Sequence, residues 1–530
     1  MRKIALAFII IVQSGWLYAQ TTDDALRLSF DRNSGTARSL SLSNAMGALG
    51  GDYSSIGINP AGIAVYRSSE FSFTPSLHIN STNSDYYGTA ANDEKMSFPL
   101  QQVGFVGTYK PVRETTDGLV STHFAIGYNR SNSFNKTTFF QHNGVESSLL
   151  DEFVYQADGL STSQLDWSPR LRVAYDSFLF DPLNEAAKTD ENLPTAYYHA
   201  FEDLDEAGEP FWGLDNGGLN QRRLLTEKGY AGDFHISGGA NFSNSFYIGG
   251  TLGVATHNYS KEVQHSEEVN PGNTHWDYLN NYTFDESLST NAIGVNLKVG
   301  TIFKPTNALR LGFAFHSPTM YAIDEEFEYA THLEPGFADY NSYYSVIQEF
   351  SYNLRTPYKL IGSFAYIFGA SGLISLDYEF TDYTSMRFKS SSSNSVDDVE
   401  FFSDLNNQVQ ETFTSTHNLR IGAEVKPTEV LSLRGGAALY QSPYNSNYLN
   451  SNDTFYSFSG GLGYRMNNMY IDLAYMLRRE KYIQSLYYSG FVANIEQDIY
   501  NETGELVEFQ KPAEVVSNNH QVAVTLGWRF

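Results

Sequence analysis

The side chains best suited to chemistry in this sequence are three histidines, His257, His265 and His275. Imidazole nitrogens bind zinc, copper or haem iron, so these residues are candidate metal or haem ligands. Their spacing matches no compact metal site, and the acidic neighbours Glu267 and Glu268 are typical of a solvated loop. Cysteine is absent from the chain, which excludes disulfides, thiol nucleophiles and cysteine-ligated metals. We therefore expect no metal and no resident cofactor.

A second candidate is the glycine-rich stretch from Ser41 to Ile63, SLSNAMGALGGDYSSIGINPAGI. Glycine loops cradle phosphate groups, but here no strand pattern precedes Gly47, Gly50 and Gly51, and no Lys-Ser or Lys-Thr pair follows them. The chain also lacks a His-Glu-x-x-His zinc motif and a Gly-x-Ser-x-Gly nucleophile motif. The sequence thus predicts no enzyme, and the stretch is either a linker or a plug packed inside something larger.

The bulk composition indicates an exported membrane protein. A basic start, an apolar run up to Val12 and a cleavage position after Ala19 form a secretory signal peptide over residues 1–19. Beyond it, no apolar run reaches the roughly 20 residues of a spanning helix. Aromatic residues make up 15% of the chain beside 42 glycines, which is typical of an outer-membrane β-barrel. The net charge of −26 argues against binding to nucleic acid.

Alternation of apolar and polar side chains, the pattern of a strand between two environments, recurs from Glu70 to the C-terminus. Tight turns such as FSNS and KPTE alternate with connections of about twelve to nearly a hundred residues, as membrane barrels require. The final strand ends in Phe530, which resembles the signal read by the barrel-assembly machinery. The pattern predicts an all-β fold, a transmembrane antiparallel barrel of about fourteen strands. They are expected near residues 70–81, 98–110, 120–131, 229–242, 245–260, 288–304, 307–333, 345–368, 371–390, 411–426, 430–441, 454–467, 469–485 and 517–530.

The charged residues within these strands share one phase of the alternation. A charge on the lipid face would cost about 2–4 kcal/mol near the membrane midplane, so this phase is expected to face the lumen. There, opposite charges are expected to pair between neighbouring strands, and a role in substrate binding stays open as the alternative. These residues are Lys298, Arg310, Asp377, Glu379, Arg420, Glu424, Arg434 and Asp472.

The longest connection, residues 132–228, carries apolar side chains at helical spacing in SSLLDEFVYQADGL and again in LRVAYDSFLFDPL. An outer loop with so much apolar surface must bury it against itself or present it to something hydrophobic. The sequence leaves two alternatives, a self-packed helical cap on the barrel and an apolar entrance groove for a lipophilic ligand.

The chain resembles the FadL/TodX-type outer-membrane transporters of long-chain fatty acids and other hydrophobic compounds. Asn59-Pro60-Ala61-Gly62 is similar to the family's hatch signature, and the paired strands LRTPYKLIGSFAYIFG and LISLDYEFTDYTSMRF resemble the family as well. So do the late hairpins LRIGAEVKPTEVLSLRGGAALYQSP and YSFSGGLGYRMNNMYIDLAYML. The resemblance implies a fourteen-stranded barrel over residues 67–530 and an N-terminal hatch over residues 20–66 that contains Gly50, Gly51 and residues 59–62.

The resemblance also implies a function, which is passive uptake of a lipophilic compound across the outer membrane of a Gram-negative bacterium, among lipid and lipopolysaccharide. Desolvation of an acyl chain would drive capture at about 0.8 kcal/mol per methylene. A fatty-acid carboxylate would need a cation, and the lumen candidates are Arg355, Lys359, Arg420 and Arg434. Two alternatives stay open: a hemin or haem receptor, supported only by the three histidines, and a structural or adhesive barrel whose hatch never opens.

Overall fold

The computed structural model describes residues 21–30, 35–111, 116–214, 217–273, 278–334, 342–345, 347–391, 396–484, 486 and 512–530. They form an antiparallel barrel of fourteen strands, and five of these strands consist of two segments. The strands are β1 (Glu70–Tyr86), β2 (Thr89–Ser97 and Leu100–Tyr109), β3 (Leu119–Ser133 and Lys136–Val145), β4 (Leu219–Phe242), β5 (Phe246–Val269), β6 (Asn281–Phe303), β7 (Leu309–His316 and Met320–Leu333), β8 (Gln348–Arg355 and Lys359–Ile367), β9 (Gly372–Asp382 and Arg387–Ser390), β10 (Ser415–Val425), β11 (Leu431–Tyr440), β12 (Thr454–Met466), β13 (Met469–Gln484) and β14 (Ala513–Arg529).

The barrel is closed because its first and last strands pair with each other. The register between β1 and β14 begins at Glu70↔Arg529 and reaches Asp85↔Glu514. An ion pair of 2.7 Å between Arg529 Nε and Glu70 Oε2 fastens this seam at the end of the barrel that carries the tight turns, the short-turn end. Closure removes the exposed sheet edge that would otherwise recruit other strands. The expected all-β barrel of about fourteen strands is confirmed.

The outer face carries an apolar belt, which β6 shows clearly. Ile293, Val295, Leu297, Val299 and Phe303 alternate along this strand and are all exposed. The roughly 33 Å of strand from the first to the last of them, tilted by about 45°, gives a belt about 23 Å high. That height matches the apolar band of about 25 Å typical of transmembrane barrels.

Three neighbouring strands extend far beyond this belt at the opposite end, the long-loop end. β4 and β5 each contain 24 residues and β6 contains 23, whereas the hydrocarbon core takes only about 9–11 residues of tilted strand. All three are longer than expected because their extensions carry polar side chains on both faces, which hides the alternation. The connection between β3 and β4 is correspondingly shorter than residues 132–228 and runs over residues 146–218.

Strands β7 and β8 are each expected to be continuous, but both are interrupted. The interruptions fall at residues 317–319 and 356–358 and contain Pro318 and Pro357. Proline cannot donate to a ladder and is confined to edges and irregular positions of sheets. In β8 the buried side chains have odd residue numbers on the short-turn side of the interruption and even residue numbers on the long-loop side. The interruption therefore reverses which side chains face the lumen.

The helices lie in the N-terminal segment and the long connections. The signal peptide expected over residues 1–19 lies outside the described residues. Within the described part of the chain, no helix is both long and apolar enough to cross a bilayer. The helices are α1 (Thr22–Ser29), α2 (Ala37–Ser41), α3 (Ser55–Ile58), α4 (Leu149–Ala157), α5 (Pro169–Asp176) and α6 (Val396–Thr412), with 3₁₀ turns at Pro60–Val65, Thr162–Trp167, Glu185–Lys188, Tyr383–Ser385 and Leu449–Asn452.

Candidate functional site

The N-terminal residues 35–66, called the hatch here, fill the lumen toward the short-turn end of the barrel. Almost all of them are buried, and they approach the wall at glycines. A Cβ on Gly436, for example, would lie 2.5 Å from the carbonyl carbon of Leu42. Because no other residue leaves this space free, the wall strands supply glycine where the hatch touches them. The glycines that contact the hatch in this way are Gly104, Gly127, Gly239, Gly249, Gly300, Gly312, Gly422, Gly436 and Gly461.

The motif at residues 59–62 is the tightest part of the hatch. Asn59 is buried, and its Nδ2 donates to the carbonyl oxygens of Gly47 at 2.7 Å and Thr301 at 3.1 Å. Its Oδ1 accepts from the Ala61 N–H at 3.1 Å, which caps the 3₁₀ turn that Pro60 begins. Proline fits the first position of such a turn because that N–H has no partner there.

The two glycines expected in the hatch complete this motif. Gly50 and Gly51 have φ angles of +61° and +65°, a left-handed conformation that favours glycine. The Gly51 N–H donates to the carbonyl oxygen of Gly62 at 3.0 Å. The structure therefore brings all six predicted hatch residues into one turn cluster against the barrel wall.

Charged wall residues hold the hatch through its backbone. The Asp377 carboxylate accepts from the Gly47 N–H at 2.9 Å. On β7, Arg310 Nη1 donates to the carbonyl oxygen of Leu49 at 2.6 Å, and His316 Nε2 donates to that of Ile58 at 2.9 Å. These contacts supply hydrogen-bond partners to buried backbone groups of the hatch that have none within regular secondary structure.

Two of the four candidate carboxylate-binding cations are engaged in ion pairs. Arg434 bridges Glu424 at 2.7 Å and Asp472 at 2.6 Å, and Arg38 of the hatch approaches the same Glu424 at 3.5 Å. Arg420 Nη2 contacts Glu379 at 2.9 Å. The expected pairing of lumen charges across neighbouring strands is observed for Arg420 with Glu379 and for Arg434 with Glu424, whereas Asp472 lies two strands from Arg434. Arg434 lies in the interface between wall and hatch.

The other two candidates differ in orientation. Lys359 has the phase of the lumen-facing side chains of lower β8, as expected. Arg355 does not: it is exposed on the outer face, while its neighbour Leu354 is buried toward the lumen. The assignment of Arg355 to the lumen was wrong because the interruption at residues 356–358 reverses the phase between the two residues.

Helix α1 occupies the lumen above residues 35–66, within the range 20–66 that the resemblance assigns to the hatch, but its helical form is not among the sequence predictions. Arg27 stacks on the Tyr259 ring at 4.2 Å, pairs with Asp24 at 2.7 Å and reaches Glu325 of β7 at 3.3 Å. The signal was present, because Thr21 and Asp24 form a capping box in which the Thr21 N–H donates to Asp24 Oδ2 at 2.8 Å. The N-terminus thus fills the barrel at two levels.

The connection over residues 146–218 forms a cap, and most of its apolar side chains are buried. Helices α4 and α5 pack Leu149, Phe153 and Leu171 against the extensions of β4, β5, β6 and β7. Of the two alternatives, the cap is therefore self-packed. Phe178 remains 54% exposed on its surface.

A buried histidine joins two parts of this cap. Burial lowers the pKa of His199, but the hydrogen bond to Asp151 at 2.8 Å and the charges of Asp151 and Glu202 outweigh it, so the pKa is raised above 6.5. The raised pKa means that protonated His199 stabilises the folded cap. Asp151 also accepts from the Ser148 N–H at 2.7 Å at the start of α4.

The barrel wall has one place where neighbouring strands part. Below it, β2 and β3 form a ladder over Gln102–Tyr109 and Thr122–Asn129. Above it, the upper segment of β2 pairs only with β1, and the upper segment of β3 pairs with β4; the described residues show no ladder between them. We call this place the wall break.

The contacts that close the wall break come from side chains instead of a ladder. Asn80 Nδ2 donates to the carbonyl oxygen of Asn135 at 3.5 Å, and Gln101 Nε2 donates to that of Arg130 at 3.3 Å. The Ser84 hydroxyl donates to the carbonyl oxygen of Phe139, and Thr89 Oγ1 lies 2.8 Å from His142 Nδ1. The upper segment of β3 therefore lies across the inner face of the β1–β2 hairpin.

The candidate histidines do not meet. His257 and His265 lie within β5 and not in the loop that follows it, and both are buried. His265 Nε2 contacts Glu267 at 2.9 Å, and His257 packs on Phe134 with ring centroids 4.9 Å apart. His275 lies outside the described residues, and among the residues that the structure describes no group of three metal-ligating side chains forms. The haem alternative gains no support from this arrangement.

A closed fourteen-stranded barrel with an apolar belt and an N-terminal segment folded into its lumen defines the class of plugged, outer-membrane-type β-barrels. No protein-family model and no curated protein matches the sequence. Among solved structures, the chain is similar to a FadL homologue from Pseudomonas aeruginosa, with 13% identity and a TM-score of 0.51 over 95% of this chain and 100% of that one. This similarity shows that the chain has the FadL-type fold.

Two further solved structures are similar at lower scores. The toluene transporter TodX of Pseudomonas putida has 11% identity and a TM-score of 0.48, covering 94% of this chain and 99% of its own. The CymD monoaromatic hydrocarbon channel has 9% identity and a TM-score of 0.46, covering 94% of this chain and 98% of its own.

Proposed function

We propose that this protein takes up hydrophobic compounds, such as long-chain fatty acids, passively across the outer membrane. The observation that carries the proposal is the wall break, which lies beside a lumen filled by the hatch at the short-turn end. A solute that enters from the long-loop end meets α1 and then the hatch in front of it, and the wall break at its side. Hydrocarbon beyond the wall accepts apolar solutes and rejects polar ones, so the side route suits lipophilic cargo. The FadL-type fold supports the same assignment.

Opening the wall break separates no strand ladder. The contacts across it are side-chain hydrogen bonds, each worth about 0.5–1.5 kcal/mol when water replaces the partner, and a small apolar cluster in which Tyr86 packs with Phe140 and Val145. The apolar residues Met96 and Phe98 of β2 are exposed on the outer face beside it, 51% and 77% respectively. A ligand that passes through therefore moves from the lumen directly onto apolar wall surface.

For a fatty acid, Arg420 is the best placed cation of the lumen set. It is fully buried, uses Nη2 for Glu379 and interacts with Tyr440, whereas its Nε and Nη1 have no well-aligned hydrogen-bond partner among the described residues. Two buried donors without such partners are costly, and a carboxylate oxygen would satisfy them. Arg434, by contrast, is held between two carboxylates.

The test is a cross-link across the wall break in a chain that has no natural cysteine. Cysteines at Thr89 and His142 replace two side chains in contact across the break. The matched control pair is Thr108 and His123, whose side chains are 3.2 Å apart where β2 and β3 already share a ladder. Uptake of a long-chain fatty acid and of the alcohol of equal length is measured in a Gram-negative host without its own transporter.

We expect oxidation of the Thr89/His142 pair to lower uptake of both probes at least tenfold, reduction to restore it, and oxidation of the control pair to leave it unchanged. Equal uptake through the oxidised and reduced Thr89/His142 pair would overturn the side route. Uptake indistinguishable from that of the host without this protein would overturn the transport function itself. Arg420→Met is expected to lower uptake of the acid and not of the alcohol; equal effects on both would refute carboxylate recognition.

A further inference from the structure

The outer face of the barrel holds a groove of about 520 Å³ whose lining includes no hatch residue. Its floor is apolar and comes from Ile293 and Val295 of β6 and Met320 of β7. Its upper rim carries Arg355 of β8 and Lys389 of β9. All five side chains face away from the lumen, because the residues that alternate with them are buried inside the barrel.

The groove lies where three neighbouring strands are interrupted at the same height. The interruptions are residues 317–319 in β7, 356–358 in β8 and 383–386 in β9, and the pairing resumes above them at Met320↔Arg355 and Arg355↔Arg387. In each strand the phase of buried and exposed side chains reverses across the interruption. Because of this reversal, Arg355, Arg387 and Lys389 face outward; in uninterrupted strands the same residues would face the lumen.

The outward cations form a cluster that has no carboxylate partner within the part of the chain that the structure describes. Arg355 is paired in register with Arg387, and Asn353 is paired with Lys389, so the three cations lie on adjacent strands. Arg387 Nη1 donates to the backbone oxygens of Thr384 and Met386. No ion pair to any of these three cations occurs among the described residues, in contrast to the paired arginines of the lumen. An unpaired cation cluster at a membrane surface attracts anionic groups.

The height of the cluster identifies the level of the membrane that it faces. Ile293 is the uppermost large apolar side chain exposed on β6, and Tyr378 and Phe380 lie below Lys389 on the outer face of β9. Aromatic girdles mark the interface of transmembrane barrels. The cations therefore lie at headgroup level on the long-loop side, and Asp324 of β7 begins an acidic surface farther out.

We propose that this groove binds a phosphate-bearing glycolipid of the outer leaflet. Arg355 and Lys389 contact the lipid phosphate, as arginine forks and lysine ammonium groups do. Acyl chains of the same lipid cover Ile293, Val295 and Met320. The occupant is a glycolipid because the long-loop side faces the leaflet in which phosphorylated glycolipids reside in an outer membrane. The proposal does not depend on the identity of the transported compound.

The experiment measures binding of bisphosphorylated lipid A to the full-length barrel in detergent micelles by native mass spectrometry. The test variant is Arg355→Gln with Lys389→Gln, which leaves Arg387 and its backbone contacts intact. The control variant is Lys228→Gln with Lys481→Gln, two exposed lysines that already pair with Glu262 at 3.1 Å and Glu514 at 2.9 Å. Heat-dependent migration in gels verifies that both variants remain folded barrels.

Each cation at a membrane surface contributes about a factor of five in affinity for an anionic lipid, so we expect the test variant to bind lipid A about 30-fold more weakly. The control variant should bind as the parent does. Equal binding by the test and control variants would overturn the site. Equal binding of lipid A without phosphates would overturn the role of the cations, and equal binding of phosphatidylglycerol would overturn the assignment to a glycolipid.

Discussion

Asn59 offers the sharpest test of the hatch, because its side chain forms three hydrogen bonds within a buried cluster. The variant Asn59→Ala leaves two carbonyl oxygens and one N–H without these partners. Each buried unsatisfied group costs about 1–3 kcal/mol, so the closed hatch should lose at least about 3 kcal/mol relative to a displaced one. Since about 1.4 kcal/mol is a factor of ten, the displaced population should rise about 150-fold.

The assay uses Ser41→Cys as the only thiol in the chain, at a side chain that is fully buried in the closed hatch. The rate of maleimide labelling under native conditions reports the displaced population. Asn184→Ala is the matched control, because Asn184 caps a 3₁₀ turn through the Ala186 N–H at 3.0 Å in the outer cap, far from the hatch. Labelling of the Asn59→Ala chain within threefold of the parent rate, in a folded barrel, would refute the anchoring role.

Two further predictions concern the wall and the cap. Gly249→Val should displace the hatch, because its Cβ would lie within 2.8 Å of the backbone N of Ala61, whereas Gly250→Val should not, because its Cβ faces outward with its closest contact at 3.8 Å. The same labelling assay checks both, and equal rates would contradict the glycine contact. For His199, the folded-state pKa is raised above 6.5, so its stabilisation of the cap is full below that pH and is lost as pH rises through the raised pKa. Hydrogen-exchange protection factors in residues 146–218, which are corrected for the base-catalysed intrinsic rate, should fall as pH rises through the raised pKa, and His199→Gln should remove this fall; an unchanged pH profile in that variant would show that another group causes it.

The sequence predicts the barrel well because lipid and lumen impose opposite requirements on alternate residues. Lys298, for instance, lies on the lumen phase of β6 and reaches Asp233 of β4 at 2.8 Å, as the phase argument requires. The assignment of residues 59–62, Gly50 and Gly51 to a hatch stays a prediction; the structure shows that they pack together inside the lumen. Alternation fails where both faces are wet, which is why the extensions of β4, β5 and β6 were missed.

Arg355 shows the second limit of sequence patterns. Alternation predicts which face a side chain occupies only while the strand is continuous. Residues 356–358 interrupt the strand, so the lumen-facing positions change from even to odd residue numbers across them. Pro357 signals a possible interruption, but the number of residues in the interruption decides the phase, and that number depends on the partner strands. The same limit applies to β7 and β9, whose interruptions lie beside that of β8.

The energetics of the two routes out of the lumen are unequal. Displacing the hatch exposes apolar side chains such as Leu42, Met46 and Ile56, which are buried against the wall, at about 1.5–3 kcal/mol for each large one. It also breaks the contacts from Asp377, Arg310 and the side chain of Asn59. Opening the wall break exchanges side-chain hydrogen bonds for bonds to water, at about 0.5–1.5 kcal/mol each, and exposes a single apolar cluster around Tyr86, Phe140 and Val145, whereas the hatch contributes to four such clusters. The side route is therefore the less costly one, and a lipophilic ligand can use it without movement of the hatch.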